Sequence, residues 1–322
     1  MRKRKGRPVD GVLLLNKSAG MTSNQALQRA KRLFFVEKAG HTGSLDPMAT
    51  GVLPLCFGEA TKFSQFLLDA DKAYRTTVCL GIVTDTCDAE GEVIEQQSAA
   101  SITKEQIEKA LNNFRGVIHQ IPPMYSALKR DGQPLYKLAR QGVEVERDAR
   151  EVEIFELTLL DFRPGIEAEV DLDVHCSKGT YIRSIAHDLG QLLGVGGHVR
   201  KLHRSASGAF SEAQCVSLDE LQQRFDLGGY ESLDQTLQPA DSPVASLPGL
   251  DLPSDSAYYF RLGNPVMDGQ VYRIAGQGDI VRVFCAETDQ SPRRFLGLGE
   301  ITDDGRVAPK RIIANPVSSG LV

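Results

Sequence analysis

Residues 167–176 alternate without a break: Glu167, Glu169, Asp171, Asp173 and His175 fall on one side, and Ala168, Val170, Leu172, Val174 and Cys176 on the other. A strict period of two marks a strand with one wet face. Any fold for this chain must therefore cover the aliphatic side of that strand. Several segments can do so. Residues 11–15, GVLLL, read as a buried strand. After Thr22-Ser23-Asn24, which offer caps, Ala26, Leu27, Ala30, Leu33 and Phe34 recur at helical spacing. Strands at 52–57 and 74–80, and helices at 59–69, 103–114, 134–141, 180–193 (capped) and near 217–225, complete a mixed α and β pattern. Pro134 and Gly142 suit the two ends of their helix.

At 237–253 the chain reads LQPADSPVASLPGLDLP, where Pro239, Pro243, Pro248 and Pro253 break any regular element. We place a domain boundary there, with one domain over 1–246 and a second, mostly β, over 247–322. In the second, VYRIAG, DIVRVFCA and FLGLGEITDDGRVAPKRII read as strands, with Asp304-Gly305 as a hairpin turn. Two domains suit 322 residues that are 41% hydrophobic and 25% charged, a composition that excludes disorder and collagen-like repeats. No apolar run approaches the ~18–20 residues of a membrane span, and the basic N-terminus lacks the apolar stretch of a secretory signal. The expected location is the cytoplasm. Six cysteines without a CxxC pair suggest reduced thiols, with neither a zinc site nor a disulfide framework. The chain has no Walker loop, no HExxH and no GxGxxG, which removes the usual signatures of nucleotide hydrolysis and dinucleotide redox chemistry.

The net charge of −5 is unevenly spread. Residues 1–7 carry five basic side chains, and 178–204 carry Lys178, Arg183, Arg200, Lys201 and Arg204 against Asp188 alone. Residues 115–150 hold seven bases and four acids, whereas 211–260 hold nine acids and one base. This asymmetry fits an RNA footprint on an otherwise acidic protein, although ordinary solvated faces would give the same balance.

The loop GHTGSLDPMATG, residues 40–51, places one carboxylate, Asp46, between turn-forming residues. In isolation it reads as a turn or cap residue. Its surroundings say more. The chain resembles the bacterial tRNA pseudouridine-55 synthases of the TruB type. The likeness lies in HTGSLDP, in DKAYR at 71–75, MYSALK at 124–129 and KGTYIR at 178–183, with support from NKSAGMTS at 16–23 and GRVAPKR at 305–311. It extends over residues 10–313. The fold implied is α+β: a mainly antiparallel sheet with flanking helices, an inserted thumb at about 124–150, and a small C-terminal β-barrel of PUA type.

The activity implied is the isomerisation of uridine 55 in the T loop of tRNA: the uracil is detached, rotated and rejoined through carbon 5. No cofactor and no metal are expected. A carboxylate beside the sugar can stabilise oxocarbenium charge, attack the anomeric carbon or remove a sugar proton, and the resemblance assigns this role to Asp46, with Arg183 as its counter-ion. The target base must be swung out of its loop and held. Tyr74 is expected to stack on it and handle the carbon-5 proton, with Tyr181, Leu202 and His41 around it. Taken without the resemblance, the two tyrosines and Leu202 read first as core packing. Lys17, in NKSAGMTS, and Lys129, in the thumb, are expected to contact substrate. The expected partners are the T stem-loop and the acceptor end of tRNA, with no membrane, no guide RNA and a monomeric enzyme. Two departures stand out: Ser18 replaces the usual Pro, and His203 stands where Arg is common, which puts one phosphate contact in doubt.

Overall fold

The computed structural model describes residues 6–126, 128–130, 132–287 and 292–314. The expected basic cluster at the N-terminus lies mostly outside them. Chain order in the first part is β1 (Gly11–Lys17), α1 (Ser23–Leu33), β2 (Thr50–Phe57), α2 (Ser64–Asp69), β3 (Lys72–Leu80), α3 (Lys104–Leu111), β4 (Gly116–Gln120), α4 (Leu135–Ala139), β5 (Arg150–Arg163), β6 (Ala168–Cys176), α5 (Ile182–Leu192), β7 (Gly197–Ser207) and α6 (Leu218–Asp234). The strands form one sheet in the order β1-β2-β7-β3-β6-β5-β4, with two short strands, Ala39–His41 and Phe210–Ser211, attached at its side. Every pairing on the path is antiparallel except β2 with β7.

The strand with one wet face is β6, second from the centre of this sheet. Ala168, Val170, Leu172, Val174 and Cys176 are buried, while Glu169, Asp171, Asp173 and His175 are half-buried. Register carries the row across the sheet: Leu172 and Leu202 flank Thr76, and Val170 is paired with Val78. Ile182, Ile185, Ala186 and Leu189 of α5 and Ile107 and Leu111 of α3 join these residues in one core. Burying an aliphatic side chain of this size contributes about 1.5–3 kcal/mol. Helix α1 starts where the caps indicated, with a capping box between Thr22 and Gln25, and buries Ala26, Leu27 and Ala30.

Two long strands escaped the sequence reading. In β5 the period of two shifts phase between Val152/Ile154 and Leu157/Leu159, at a bulge between Ile154 and Glu156, and β7, in the middle of the sheet, is written GHVRKLHRSAS, whose charges masked its period. The helix expected over 59–69 is α-helical only from Ser64, after a 3-10 segment Gly58–Phe63, the one over 103–114 turns 3-10 after Leu111, and other helix boundaries moved as well. The α5 helix begins at Ile182 with no side-chain cap, because the Thr180 hydroxyl donates to the Ser177 carbonyl instead. The helix expected near 217–225 continues as α6 to Asp234, through a break at Gly229 (φ 61°, ψ −147°) that glycine tolerates. The helix expected over 134–141 is shorter, with Pro134 as its cap residue.

The second sheet contains β8 (Gly249–Leu252), β9 (Val266–Met267), β10 (Ile280–Cys285), β11 (Arg294–Ile301) and β12 (Arg306–Ile312), in the order β8-β10-β11-β12-β9. It curls into half a barrel, with α7 (Ser254–Arg261) packed over it through Ala257 and Phe260. The proline-rich stretch is more regular than expected, since it contributes β8, parallel to β10. VYRIAG is not a strand. Val271–Ile274 forms a helical turn with Val271 buried and Tyr272 donating to the Thr302 and Asp303 carbonyls, so tertiary contacts override β propensity. The half-barrel meets the first sheet through Phe63, Val244, Phe284, Phe295, Leu298 and Ile313. Phe63 and Phe295 lie 5.4 Å apart, and Lys62 donates to the Ile312 carbonyl at 2.7 Å. Among the described residues no helix is long and apolar enough to cross a membrane.

Candidate active site

Asp46 lies on the loop between the short strand Ala39–His41 and β2, and that loop is tied down on every side. The Ser23 hydroxyl, at the start of α1, accepts from the Leu45 N–H at 2.7 Å and lies 3.1 Å from the Leu45 carbonyl. The Ala49 N–H closes a turn on the Asp46 carbonyl at 3.0 Å. Arg204 of β7 donates to the Val52 carbonyl at 2.7 Å and the Gly43 carbonyl at 3.3 Å, gripping both arms of the loop. Gly51 makes this approach possible: its φ is +103°, and a Cβ there would stand 2.2 Å from the Arg204 carbonyl. Lys17, 1% exposed, donates to the Ser18, Met21 and Pro47 carbonyls at 3.0, 2.8 and 3.1 Å. Burial pushes its amine down to about 8. Its ammonium is therefore directed at backbone and away from the surface.

The partner of Asp46 comes from the other side of the sheet's core. Arg183, in the first turn of α5 and with a side chain only 5% exposed, places Nε 2.9 Å from Oδ2 and Nη2 3.1 Å from Oδ1 of Asp46. Nη2 also donates to the Tyr125 carbonyl at 2.8 Å and Nη1 to the Thr86 carbonyl at 3.2 Å, while Asp88 Oδ2 stands 3.6 Å from Nη1. The Asp46 carboxyl is nevertheless raised above its ordinary value. Loss of hydration and the neighbouring Asp88 outweigh the pull of Arg183 and Lys17. About a third of its side chain remains exposed, so it is poised at the mouth of the recess, short of water but open to a ligand.

Tyr74 of β3 is paired in register with Arg204. Its phenol is raised by burial and drawn back by Arg204, and Asp46 acts on it as well. Tyr181 is raised by burial, with Ser126 and Arg183 opposing and Asp46 adding to the rise. Leu202 is 8% exposed in the core row beside Thr76. His41 is half-buried, its Nδ1 without a partner among the described residues, and burial followed by Arg204 lowers its imidazole. Thus Asp46, Arg183, Tyr74 and Tyr181 share one electrostatic neighbourhood, with Lys17 beneath it. Lys129 is separate, exposed on a two-residue strand of the 124–150 insertion.

Asp88 and the loop-gripping role of Arg204 were missed. Asp88 sits in TDTCDAEG, which reads as an ordinary turn, and Arg204 was counted among surface cations although it is 1% exposed. Of the basic patch over 178–204, Lys201 stays exposed, while the other four cations are buried or paired. Arg183 and Arg204 are buried, Lys178 pairs with Asp69 at 2.7 Å, and Arg200 pairs with Glu167 and Glu169 at 2.8 and 2.6 Å. His203 is held between the Thr50 hydroxyl at 2.8 Å and Glu212 at 2.7 Å. A cavity of about 830 Å³ is lined by Gly20, Met48 and Leu202 but also by Asp171 and Arg200 of the wet face, and Asp46, Arg183, Tyr74 and Tyr181 are not in its wall. A carboxylate, a guanidinium and two phenols acting on one another suit a flat, neutral ring attached to a group that becomes positive during reaction.

Comparison with known proteins agrees with that chemistry. The family described as TruB family pseudouridylate synthase, N terminal domain, matches residues 31–182. The tRNA pseudouridylate synthase B C-terminal domain matches 183–245, and the C-terminal domain of pseudouridine synthase II TruB matches 248–313. The tRNA pseudouridine synthase B of Saccharophagus degradans is 56% identical over 313 residues, covering 97% of this chain and 98% of that protein. That of Pseudomonas aeruginosa is 53% identical over 311 residues, covering 97% and 98%. In the crystal structure of a Cbf5-Nop10-Gar1 complex, one chain superposes with a TM-score of 0.69 at 25% identity, covering 96% of this chain and 85% of that one. The chain belongs to the TruB family of tRNA pseudouridine synthases.

Proposed function

We propose that this enzyme converts uridine 55 in the T loop of tRNA to pseudouridine, with Asp46 as the central carboxylate. The observation that carries the reading is the two-point contact between Arg183 and Asp46, with about a third of the Asp46 side chain left exposed to a ligand. The uridine is swung out of its loop so that its sugar reaches Asp46. Asp46, ionised against Arg183, meets the anomeric region as the glycosidic bond breaks and positive character develops. Tyr74 supplies a stacking face, and its hydroxyl, beside Arg204, relays the carbon-5 proton once the ring is rejoined, passing its own proton on to solvent as it accepts that one. Tyr181 and Leu202 flank the base, and His41 faces the nucleotides it leaves. Lys129 and the other cations of the insertion neutralise phosphates of the T stem. Residues 1–246 act as the catalytic unit, and 247–322 as a PUA-like unit on the acceptor end. The enzyme works as a monomer in the cytoplasm, without a guide RNA, cofactor or metal.

Tritium release from carbon-5-labelled uridine in a bare T-stem-loop RNA tests this reading. Turnover by the isolated chain, absent in Asp46→Asn and severely slowed in Tyr74→Phe, is the expected result. Turnover that needs a guide RNA, or an Asp46→Asn enzyme that retains more than about a tenth of its rate, would remove the assignment.

A further inference from the structure

The segment leading from β4 into the insertion runs along the first turn of α5 and is bonded to it at three points. Gln120, the last residue of β4, is 2% exposed. Its side-chain oxygen accepts from the Tyr181 N–H at 3.0 Å, and its side-chain nitrogen donates to the Tyr181 carbonyl at 3.3 Å. The Ile121 carbonyl then accepts from the Ser184 hydroxyl at 3.1 Å, and the Tyr125 carbonyl from Arg183 at 2.8 Å. Tyr181 occupies the N-cap position of α5 without a side-chain cap of its own, and its carbonyl already receives the Ser184 and Ile185 N–H groups at 3.1 and 3.3 Å. A carboxamide accepts and donates at once, so it satisfies a peptide N–H and C=O together, as a neighbouring strand would. Two bonds to one residue fix the rotation of its backbone as well as its position.

Arg183 stands two residues beyond that clamp. A cation in the first turn of a helix is opposed by the helix dipole, so its placement depends on groups outside the helix. The acceptors of its guanidinium come from the Asp46 loop, from Thr86 and Asp88, and from Tyr125. The backbone from which it reaches them is set at Tyr181. We propose that Gln120 is a positioning residue: by clamping Tyr181 it sets the first turn of α5 so that Arg183 meets Asp46 with two nitrogens. The proposal rests on the reading of Asp46 as the reacting carboxylate.

The test compares Gln120→Met, which keeps the volume but loses both bonds, with Gln120→Ala, which loses both. For each, tRNA kcat and KM, the pH dependence of kcat/KM and the melting temperature are measured. The expected result for both is a kcat lowered by about tenfold or more with KM within about twofold, since a displacement of about 1 Å at a reacting group costs on that scale. The acid limb of kcat/KM also moves to higher pH. The charged groups acting on Asp46 are Arg183, Lys17 and Asp88, and the variants disturb only Arg183, whose retreat leaves the carboxyl easier to protonate. A residue that merely fills space would be rescued by Met, and its loss would lower melting temperature without moving the limb. Wild-type kcat and an unmoved acid limb in Gln120→Met overturn the proposal, as does a raised KM with kcat intact. Asp46→Asn run alongside separates the two failures: if that variant turns over, the reading of Asp46 falls whatever Gln120 does.

Discussion

Arginine meets carboxylates on both sides of the large sheet, with similar geometry and opposite consequences. On the wet face, Arg163 lies 2.9 Å from Glu169 and 2.7 Å from Asp171, with 43% of its side chain exposed. On the covered side, Arg183 reaches Asp46 at 2.9 Å with 5% exposed. Asp171 is held below the ordinary carboxylate range, first by Arg163, and Glu169 first by Arg200. Asp46 is raised, because what it loses in hydration exceeds what Arg183 returns. The three carboxylates keep similar exposure, 32% at Asp46 against 29% at Asp171 and 25% at Glu169. The surroundings of the pair therefore decide what it does: the arginine is 5% exposed at Asp46 against 43% on the wet face, and Asp88 stands beside Asp46.

Arg183→Met is the strongest way to break the comparison. It leaves Asp46 and Asp88 facing each other without their shared cation, and removing one partner of a buried pair costs about 3–5 kcal/mol. We expect turnover below detection and a clearly lowered melting temperature. Asp46→Asn should separate the two effects: turnover is lost, but melting temperature falls by less than in Arg183→Met, because the amide oxygen still accepts from Arg183 and the cost of burying the anion is removed. A marked fall in stability in Asp46→Asn would mean that the pair serves mainly to hold the fold together.

The same contrast explains what could be read from the sequence. The alternation in β6, the helix beginning at Thr22 and the hairpin at Asp304-Gly305 were legible because each follows from a local period or turn. The candidate site was legible through its motif residues. What escaped depended on contacts distant in sequence. In β7, Arg200 pairs with Glu167 and Glu169 on a neighbouring part of the sheet, and Arg204 turns inward to carbonyls of the Asp46 loop. A count of charges along the chain treats both as surface cations. Lys17 misled similarly: its three carbonyl acceptors include Pro47, thirty positions away.

Acidification sharpens the comparison next. If kcat/KM needs Asp46 ionised, its raised value places the acid limb above the ordinary carboxylate range. Protonating it in the folded state ahead of the unfolded one adds stability as pH falls. Asp171 and Glu169 have lowered values, so the stability they contribute is complete above the ordinary range and is lost only as pH falls through their lower values. Activity should therefore disappear before structure does. Kinetics and thermal melts over one pH series would check this, and coincident loss would contradict it. Lys17→Met gives a smaller effect. With its ammonium spent on the Asp46 loop, kcat should fall by about tenfold while KM stays within about twofold. A lysine that touched phosphate would instead raise KM and flatten the salt dependence by about one unit. The folded amine gives up its proton near pH 8, whereas an exposed lysine keeps it to about 10.4. Stability from this group therefore rises with pH across that window, and an alkaline loss of activity there would not be unfolding.

The smallest expected effect is on the wet face. Arg163→Ala removes contacts to Asp161, Glu169 and Asp171, yet each carboxylate retains water. Glu169 also keeps Arg200 at 2.6 Å, and Asp171 keeps the Thr77 hydroxyl at 2.6 Å. Exposed pairs of this kind contribute about 0–1 kcal/mol, and raising the salt to about 1 M shortens the screening length to about 3 Å. The variant should lose less than about 1 kcal/mol at low salt, the difference should shrink as salt is added, and turnover and tRNA affinity should match wild type. Denaturant melts at two salt concentrations and a filter-binding curve are enough to measure this. A loss as large as that of Arg183→Met, or a change in tRNA affinity, would show that the two faces are not the opposites their surroundings make them, and that the wet face takes part in folding or in binding RNA.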